Sequence, residues 1–225
     1  MESSIITLAP STASQVYDWL HRRVLRGELP PGARLSETEI ATEIGISRQP
    51  VREAFIRLGS DGLAEIRPQR GTYISKISIS AVLSARLIRE AVEGDLARLT
   101  ASLRPPQALG AMQAEIDLQH AADSAGDVNG FIESDDRFHR LLAVAAGHEA
   151  VWTDLERLKS QMNRLRHMSM RAFDRARTIA QHQQILDAIR AGDSEAAETA
   201  ARTHLHQMLT ELPQMVAQYP EFFTD

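Results

Sequence analysis

The chain contains no cysteine, which excludes disulfides and thiolate metal sites outright. Any metal it held would have to be taken by imidazole, carboxylate or water. No apolar run is long enough to cross a bilayer. The opening MESSIITLAP is too short for a signal peptide, with neither a charged-then-apolar leader nor a cleavage site. A cytoplasmic protein with no membrane partner is therefore expected. The chain is not basic overall either: its formal net charge is −5, which argues against polyanion binding by the whole surface. HExxH, GxSxG and P-loop motifs are lacking, as are repeats and low-complexity tracts, so no enzyme is expected.

What is present is an ordinary globular balance, 43% hydrophobic and 24% charged over 225 residues, enough to bury a core in one large domain or two smaller ones. The charge is unevenly spread. Residues 1–78 carry ten Lys/Arg against nine Asp/Glu, and the remainder carries 15 against 21. A neutral first third ahead of an acidic remainder favours nucleic-acid contact at the N-terminal end, since phosphate binding depends on local charge.

A short polar arm precedes QVYDWLHRRVLRG, where Val16, Leu20 and Val24 share a helical face and Gly27 is a stop signal. ELPPGARL reads as a Pro/Gly turn. SETEIATEIG opens with Ser36 and Glu39 at capping-box spacing and closes at Gly45. Ser47 then caps SRQPVREAFIRLGSDG, with Pro50 in the first turn, where its missing N–H is not needed. Two short helices joined by a tight Gly-containing turn form a helix-turn-helix pattern. LAEIRPQRGTYISKI reads as two short strands around a Pro/Gly tip, a wing.

Arg48 and Arg52 are four apart and so share one face near the start of the second helix. A recognition helix meets base edges there, and arginine can grip guanine O6 and N7 with two bonds. Ser47 suits a phosphate contact, while Val51, Ala54, Phe55 and Leu58 face a core. The alternative is a solvated arginine face with salt-bridge partners such as the nearby Glu53. In the wing, Arg67, Arg70 and Thr72 flank Gly71, a glycine suited to close backbone approach.

Residues 14–76 resemble the winged-helix domain of GntR-type bacterial regulators. The resemblance rests on Pro31-Gly32, Leu35-Ser36-Glu37, Gly45, Ser47-Arg48, Pro50-Val51-Arg52-Glu53-Ala54, Leu58, Gly62-Leu63 and Arg70-Gly71. It implies that Arg48 and Arg52 contact operator DNA, supported by Arg70, Gly71 and Thr72 in the wing. The candidate interface also takes in Arg34, Ser36, Thr38, Ser47, Gln49 and Pro50. Gln49 stands where Thr is commoner, and Thr38 where one subgroup carries a DNA-contacting Arg, so the base preference is expected to differ.

From Ser78 onward the pattern changes to long helical segments. Breaks fall at 104–106, 124–127, 147–148, near Met170 and at 191–193, giving a bundle of about six helices. In SDDRFHRLLAVAAG, the stripe of Phe131, Phe138, Leu142 and Ala145 also carries Asp135 and His139. A carboxylate facing a core must be paired, hydrated or bound. His182 shares a stripe with Ile185, Leu186 and Ile189, and His204 with Ala197, Ala200, Ala201 and Met208. His206 faces outward, His148 sits at a helix end, and His21, His120 and His167 show no inward stripe. Asp135, His139, His182 and His204 thus form a three-nitrogen, one-oxygen set suited to zinc, nickel, manganese or iron. The alternative for each histidine is a hydrogen-bonded place in the core.

Residues 80–212 resemble the all-helical ligand domain of the FadR subfamily in its metal-containing form, through RLIREAVEGDLARL, GDVNGFIESDDRFHRLLAVAAGHEA, QHQQILDAIRAGDSEAAE and ARTHL. The resemblance implies that those four residues bind a divalent metal, zinc first among the candidates, beneath a pocket for a small organic acid. Arg89 matches a family arginine on the first bundle helix and could face the acid; a salt bridge to Glu93 is the competing reading. Asn163 and Arg164 are further pocket candidates. Gln181 replaces a common Glu and His148 a common Asn. The expected protein is mainly α: a winged helix-turn-helix DNA-binding domain over 1–78 and an all-helical effector-binding and dimerisation domain over 79–225. It would act as a homodimeric repressor on a double-stranded, inverted-repeat operator.

Overall fold

The computed structural model describes residues 11–225; the polar arm expected ahead of the first helix falls outside them. The chain parts between Lys76 and Ile77 into two compact units, each built on its own core.

The first unit runs α1 (Thr12–Leu25), β1 (Arg34–Leu35), α2 (Glu37–Ile44), α3 (Arg48–Ser60), β2 (Ala64–Arg67) and β3 (Gly71–Ile74). Val16, Leu20 and Val24 of α1 meet Ile40 and Ala41 of α2 and Val51, Ala54, Phe55 and Leu58 of α3 in one buried cluster. Ser36 starts α2 by accepting the Glu39 N–H, and Gly45 ends it at φ 71°, a left-handed geometry that favours glycine. The three strands lie in the order β1-β3-β2, all antiparallel. ELPPGARL is therefore more than a turn. Its last residues form β1, with Arg34 opposite Tyr73 and Leu35 opposite Thr72. Two residues are too few to show alternation, so only the partner strand reveals them.

The second unit contains α4 (Ile79–Leu103), α5 (Pro106–Ser124), α6 (Val128–Ala145), α7 (Glu149–Leu158), α8 (Ser160–Ala172), α9 (Ala176–Ala191), α10 (Ser194–His206) and α11 (Met208–Gln218). Only Lys159 separates α7 from α8 and only Gln207 separates α10 from α11, and these two added breaks give eight helices where about six were expected. Neither junction carries glycine or proline, unlike the breaks at Pro105, Gly126, Gly147 and Gly192. A short parallel pair, β4 (Ile77–Ser78) with β5 (Phe223–Thr224), brings the C-terminal end back to the start of α4. This pairing has no signature in the sequence.

Two cores fill the helical unit. The larger gathers Leu96, Met112, Ile116, Phe131, Phe138, Leu142, Ile185, Leu186 and Ile189. The smaller joins Ile77, Val82, Met162, Leu165, Leu212, Met215 and Phe223. No helix among the described residues is long and apolar enough to cross a membrane.

Leu58 is fully buried at the centre of the first unit. Truncating it removes packing on α1 and α2 together, so Leu58→Ala should cost the first unit about 2–5 kcal/mol. Urea denaturation followed by circular dichroism measures the loss.

Candidate functional site

In the first unit, the start of α3 presents Arg48, Gln49 and Arg52 as one exposed face. Ser47 holds the N-cap position in extended geometry but makes no side-chain capping bond. The cause is local. The third helical residue, whose N–H a capping hydroxyl would take, is Pro50, which has none. The Ser47 hydroxyl thus stays at the helix N-terminus, where the backbone dipole favours an anion.

The two arginines converge on Glu37, the first residue of α2. Arg52 donates through Nε to Oε1 at 2.9 Å and through Nη2 to Oε2 at 3.0 Å. Arg48 donates through Nη2 to the same Oε2 at 3.0 Å. Hydrogen bonds from Arg52 first, then Arg48, hold the Glu37 carboxyl below its ordinary pKa. Glu53, the partner first considered for the arginines, instead accepts from Gln49 at 2.9 Å. In the wing, Gly71 adopts φ 108°, and a Cβ there would lie 3.2 Å from Arg34 Nε. Arg34 therefore crosses the wing where only glycine leaves room. Arg70 is exposed at the tip beside it, Thr72 is buried, and Thr38 is exposed on α2.

In the second unit, three helices bring four side chains to one point. Asp135 and His139 lie one turn apart on α6, His182 comes from α9 and His204 from α10. One ligand-type atom from each lies within 4.8 Å of the others. His204 Nε2 is 3.2 Å from His139 Nε2 and 3.3 Å from His182 Nε2. Asp135 oxygens lie 3.7 Å from His139 Nε2 and 3.6 Å from His182 Nε2. Nitrogens each ~2.1 Å from one ion stand ~3.0 Å apart at right angles and ~3.4 Å apart at the tetrahedral angle. The observed spacing falls between these limits.

The outward edges of the rings identify which nitrogen is free to bind. His182 Nδ1 lies 2.7 Å from Gln119 Oε1, and His204 Nδ1 lies 3.0 Å from Gln181 Oε1. An amide oxygen only accepts, so each Nδ1 carries the proton and each Nε2 a lone pair aimed at the centre. Glu93 Oε2 lies 2.7 Å from His139 Nδ1. Burial, then the neighbouring ring (His139 beside His182, His182 beside His204), pushes both His182 and His204 well below the ordinary imidazole pKa. Converging lone pairs on neutral rings repel one another unless a cation lies between them, and such oxygen partners are the usual second shell of a metal-binding imidazole. The donor set fits a divalent ion.

Buried charges surround this point. Arg89 pairs with Glu93 through both Nε and Nη2, the competing sequence reading of that arginine. Arg166 pairs with Asp135 through Nη2 and with Asp136 through Nη1 at 2.8 Å. Lys159, at the α7–α8 junction, reaches Asp136 at 2.9 Å and lies over the Trp152 ring. Beside the cluster is a cavity of about 50 Å³ whose lining includes Arg86, Arg89, Arg166, Met162, His139 and His204.

Arg89 thus reaches the cavity, whereas Asn163 and Arg164 do not line it. Asn163 Oδ1 accepts from Arg166 at 3.3 Å. Arg164 is buried with Nη1 3.1 Å from Gln161 Oε1, and burial draws its pKa down to about 10. Arg166 was missed, although a signal existed. Met162, Arg166, Ser169 and Met170 recur at helical spacing and line the cavity together, a periodicity that excludes Arg164. Gln119 and Asp136 left no such trace, and His167 proves buried without an inward stripe to announce it.

A winged helix-turn-helix in one unit and a histidine-lined cavity in a helical second unit define a DNA-binding transcriptional regulator with an effector-binding domain. Comparison with known proteins agrees. The profile of bacterial regulatory proteins of the gntR family matches residues 12–74, and that of the FCD domain matches residues 85–207. The chain belongs to the GntR family, in the FadR-like branch that carries an FCD domain. The HTH-type transcriptional repressor RspR of Escherichia coli strain K12 is 35% identical over 94% of this chain and 93% of its own length. The HTH-type transcriptional regulator YdfH of Escherichia coli O6:H1 is 34% identical over 96% and 95%. The solved structure of Escherichia coli McbR/YncC covers 91% of this chain and 98% of its own, with TM-score 0.77 and 24% identity; it shares the fold.

The depressed imidazoles have a consequence for stability. An imidazole that stays neutral when folded but protonates when unfolded contributes stability above its unfolded pKa, and the contribution is lost as pH falls. With metal chelated, stability of the helical unit should start to fall as pH drops through about 6.5. Glu93 adds a second window. Burial alone would raise its pKa, but Arg89 and then His139 outweigh this and hold it well below 4.5. Its stabilisation is present above that value and lost progressively below it. Urea midpoints between pH 8 and pH 3 test both slopes; a flat profile from pH 7 to pH 5 would contradict the imidazole part.

Proposed function

We propose that the protein is a cytoplasmic homodimeric repressor that binds an inverted-repeat operator and responds to a small organic acid held beside a divalent metal. Residues 1–78 serve as the DNA-binding domain and 79–225 as the effector-binding and dimerisation domain, a division supported by the two matching family profiles. Asp135, His139, His182 and His204 hold the metal, with zinc first and nickel, manganese or iron also suited. The observation that carries this reading is His204 Nε2 lying 3.2 Å and 3.3 Å from the Nε2 atoms of His139 and His182, beside a cavity whose lining includes arginines.

Charge balance supports the acid. The buried acids Glu93 and Asp135 and the part-exposed Asp136 are already matched by Arg89, Lys159 and Arg166. A divalent ion adds positive charge beyond what Glu211, a further carboxylate at the cavity wall, offsets, and it supplies open coordination positions for an oxygen ligand. A carboxylate entering the cavity would neutralise that excess, with Arg89 and Arg166 orienting it. Asn163 acts through Arg166, while Arg164 is a remoter contributor.

At the DNA end, Arg48 and Arg52 read base edges. Ser47, Gln49 and Pro50 place the helix N-terminus against a phosphate, and Arg34, Ser36, Thr38, Arg70, Gly71 and Thr72 flank them. Two such heads on a two-fold dimer suit an inverted repeat. Effector binding changes operator affinity only if the acid prefers one arrangement of the heads, and release from DNA is the polarity put forward. A metal-free reading rests on the same ring contacts, taken as a hydrogen-bonded histidine chain.

Metal content separates the two. Mass spectrometry of untagged protein should find about one zinc, nickel or manganese per chain, which His182→Ala should abolish. No metal, and no uptake of any added divalent ion, would overturn the sensor reading and leave the DNA-binding one intact. Separately, Arg52→Ala should weaken specific operator binding by about 1–3 kcal/mol, measured by fluorescence anisotropy.

A further inference from the structure

Glu37 is placed oddly for a residue at a nucleic-acid interface. It is an acid directly beneath the two arginines proposed to meet DNA, and its side chain is less exposed, at 23%, than those of Arg48 at 60% and Arg52 at 52%. A phosphate backbone repels it. The way it holds the arginines is informative.

Arg52 gives Glu37 its Nε and one Nη2 hydrogen. That is the side edge of the guanidinium. The end edge, formed by Nη1 and the other Nη2 hydrogen, remains available, and a fork of two parallel donors is what guanine O6 and N7 accept. Arg48 gives up Nη2 to Oε2 and retains Nη1. Glu37 itself cannot swing away easily. It opens α2, where the helix dipole favours a carboxylate, directly after the capping Ser36.

We propose that Glu37 is a specificity-determining positioning residue: it aims the end edge of Arg52 and the Nη1 of Arg48 at base edges and keeps the same side chains off phosphates. The proposal rests on the reading that those arginines contact the operator. An untethered arginine, on its flexible stem, can reach many phosphates, and such contacts add affinity for any sequence. Tethered side-on, it loses that freedom before DNA arrives, so less rotamer entropy is lost when the fork meets guanine. Glu37 thus lowers affinity for random DNA while preserving affinity for the operator.

The test uses full-length protein, a duplex that the wild type selects from a random-sequence pool, and a scrambled duplex of equal length. Fluorescence anisotropy over a potassium chloride series gives both affinities and their ratio. Glu37→Gln should tighten the scrambled duplex ~3-fold or more and steepen its salt dependence. It should lower the operator-to-scrambled ratio ~5-fold or more. Glu37→Asp keeps the charge but withdraws the carboxylate by one methylene, and should also lower the ratio. In an Arg52→Ala background, Glu37→Gln should lose most of its effect on the ratio.

Equal tightening of both duplexes in Glu37→Gln, with an unchanged ratio in Glu37→Asp, would make Glu37 a simple screening charge and overturn the proposal. Equal weakening of both duplexes would make it structural, with the same result. If Arg52→Ala lowers the ratio and neither Glu37 variant does, only the positioning role fails. If Arg52→Ala leaves the ratio untouched, the base-reading role of Arg52 fails and the proposal with it.

Discussion

A buried carboxylate without a partner would cost the helical unit several kcal/mol, and Asp135 is 2% exposed. Much of the second unit is arranged to meet that constraint. Arg166 turns inward from α8 to pair with it, Asp136 holds both Arg166 and Lys159, and the α7–α8 junction falls at Lys159. On the opposite side, Glu93 and Arg89 balance each other beside His139. Helices α4, α6, α8, α9 and α10 therefore meet around polar chemistry, while the apolar clusters fill the space on either side. Such a network holds together only when every member is satisfied, and this places the sensing chemistry where a small change in charge touches many helices.

The DNA-reading unit handles charge differently. Its arginines are exposed and cost little to solvate, so folding does not require a partner for them. Glu37 nevertheless holds both with well-formed bonds. Exposed ion pairs contribute little to stability, and the sense of this one lies in the direction it gives the guanidinium groups. Pro50 acts in the same region by removing the N–H that Ser47 would otherwise cap, so the hydroxyl remains at the helix start.

Helical periodicity was legible wherever an apolar stripe met a core. The inward placement of Asp135, His139 and His182 could be read from the phenylalanines, leucines and isoleucines sharing their faces, and most helix ends from glycine, proline and capping residues. The junctions at Lys159 and Gln207 were not legible, because each is a small rotation of backbone without a breaking residue. Strands β1, β4 and β5 were missed because two residues carry no alternation, and a strand exists only through its partner. Arg166 rather than Arg164 lines the cavity because it shares the helical phase of Met162, Ser169 and Met170.

The sequence by itself determined the class of each element, the faces that turn inward and the residue types able to bind DNA or a metal. Each of those follows from local chemistry: side-chain polarity, the 3.6-residue period, and the backbone preferences of glycine, proline and serine. Only the tertiary structure decided that His204 Nε2 comes within 3.2–3.3 Å of the Nε2 atoms of His139 and His182, that Gln119 and Gln181 orient the rings of His182 and His204, and that Glu37 rather than Glu53 holds the recognition arginines. Those are contacts between residues 11–65 positions apart in the chain. Such contacts depend on how helices pack, and packing is a property of many side chains at once that no single stretch encodes.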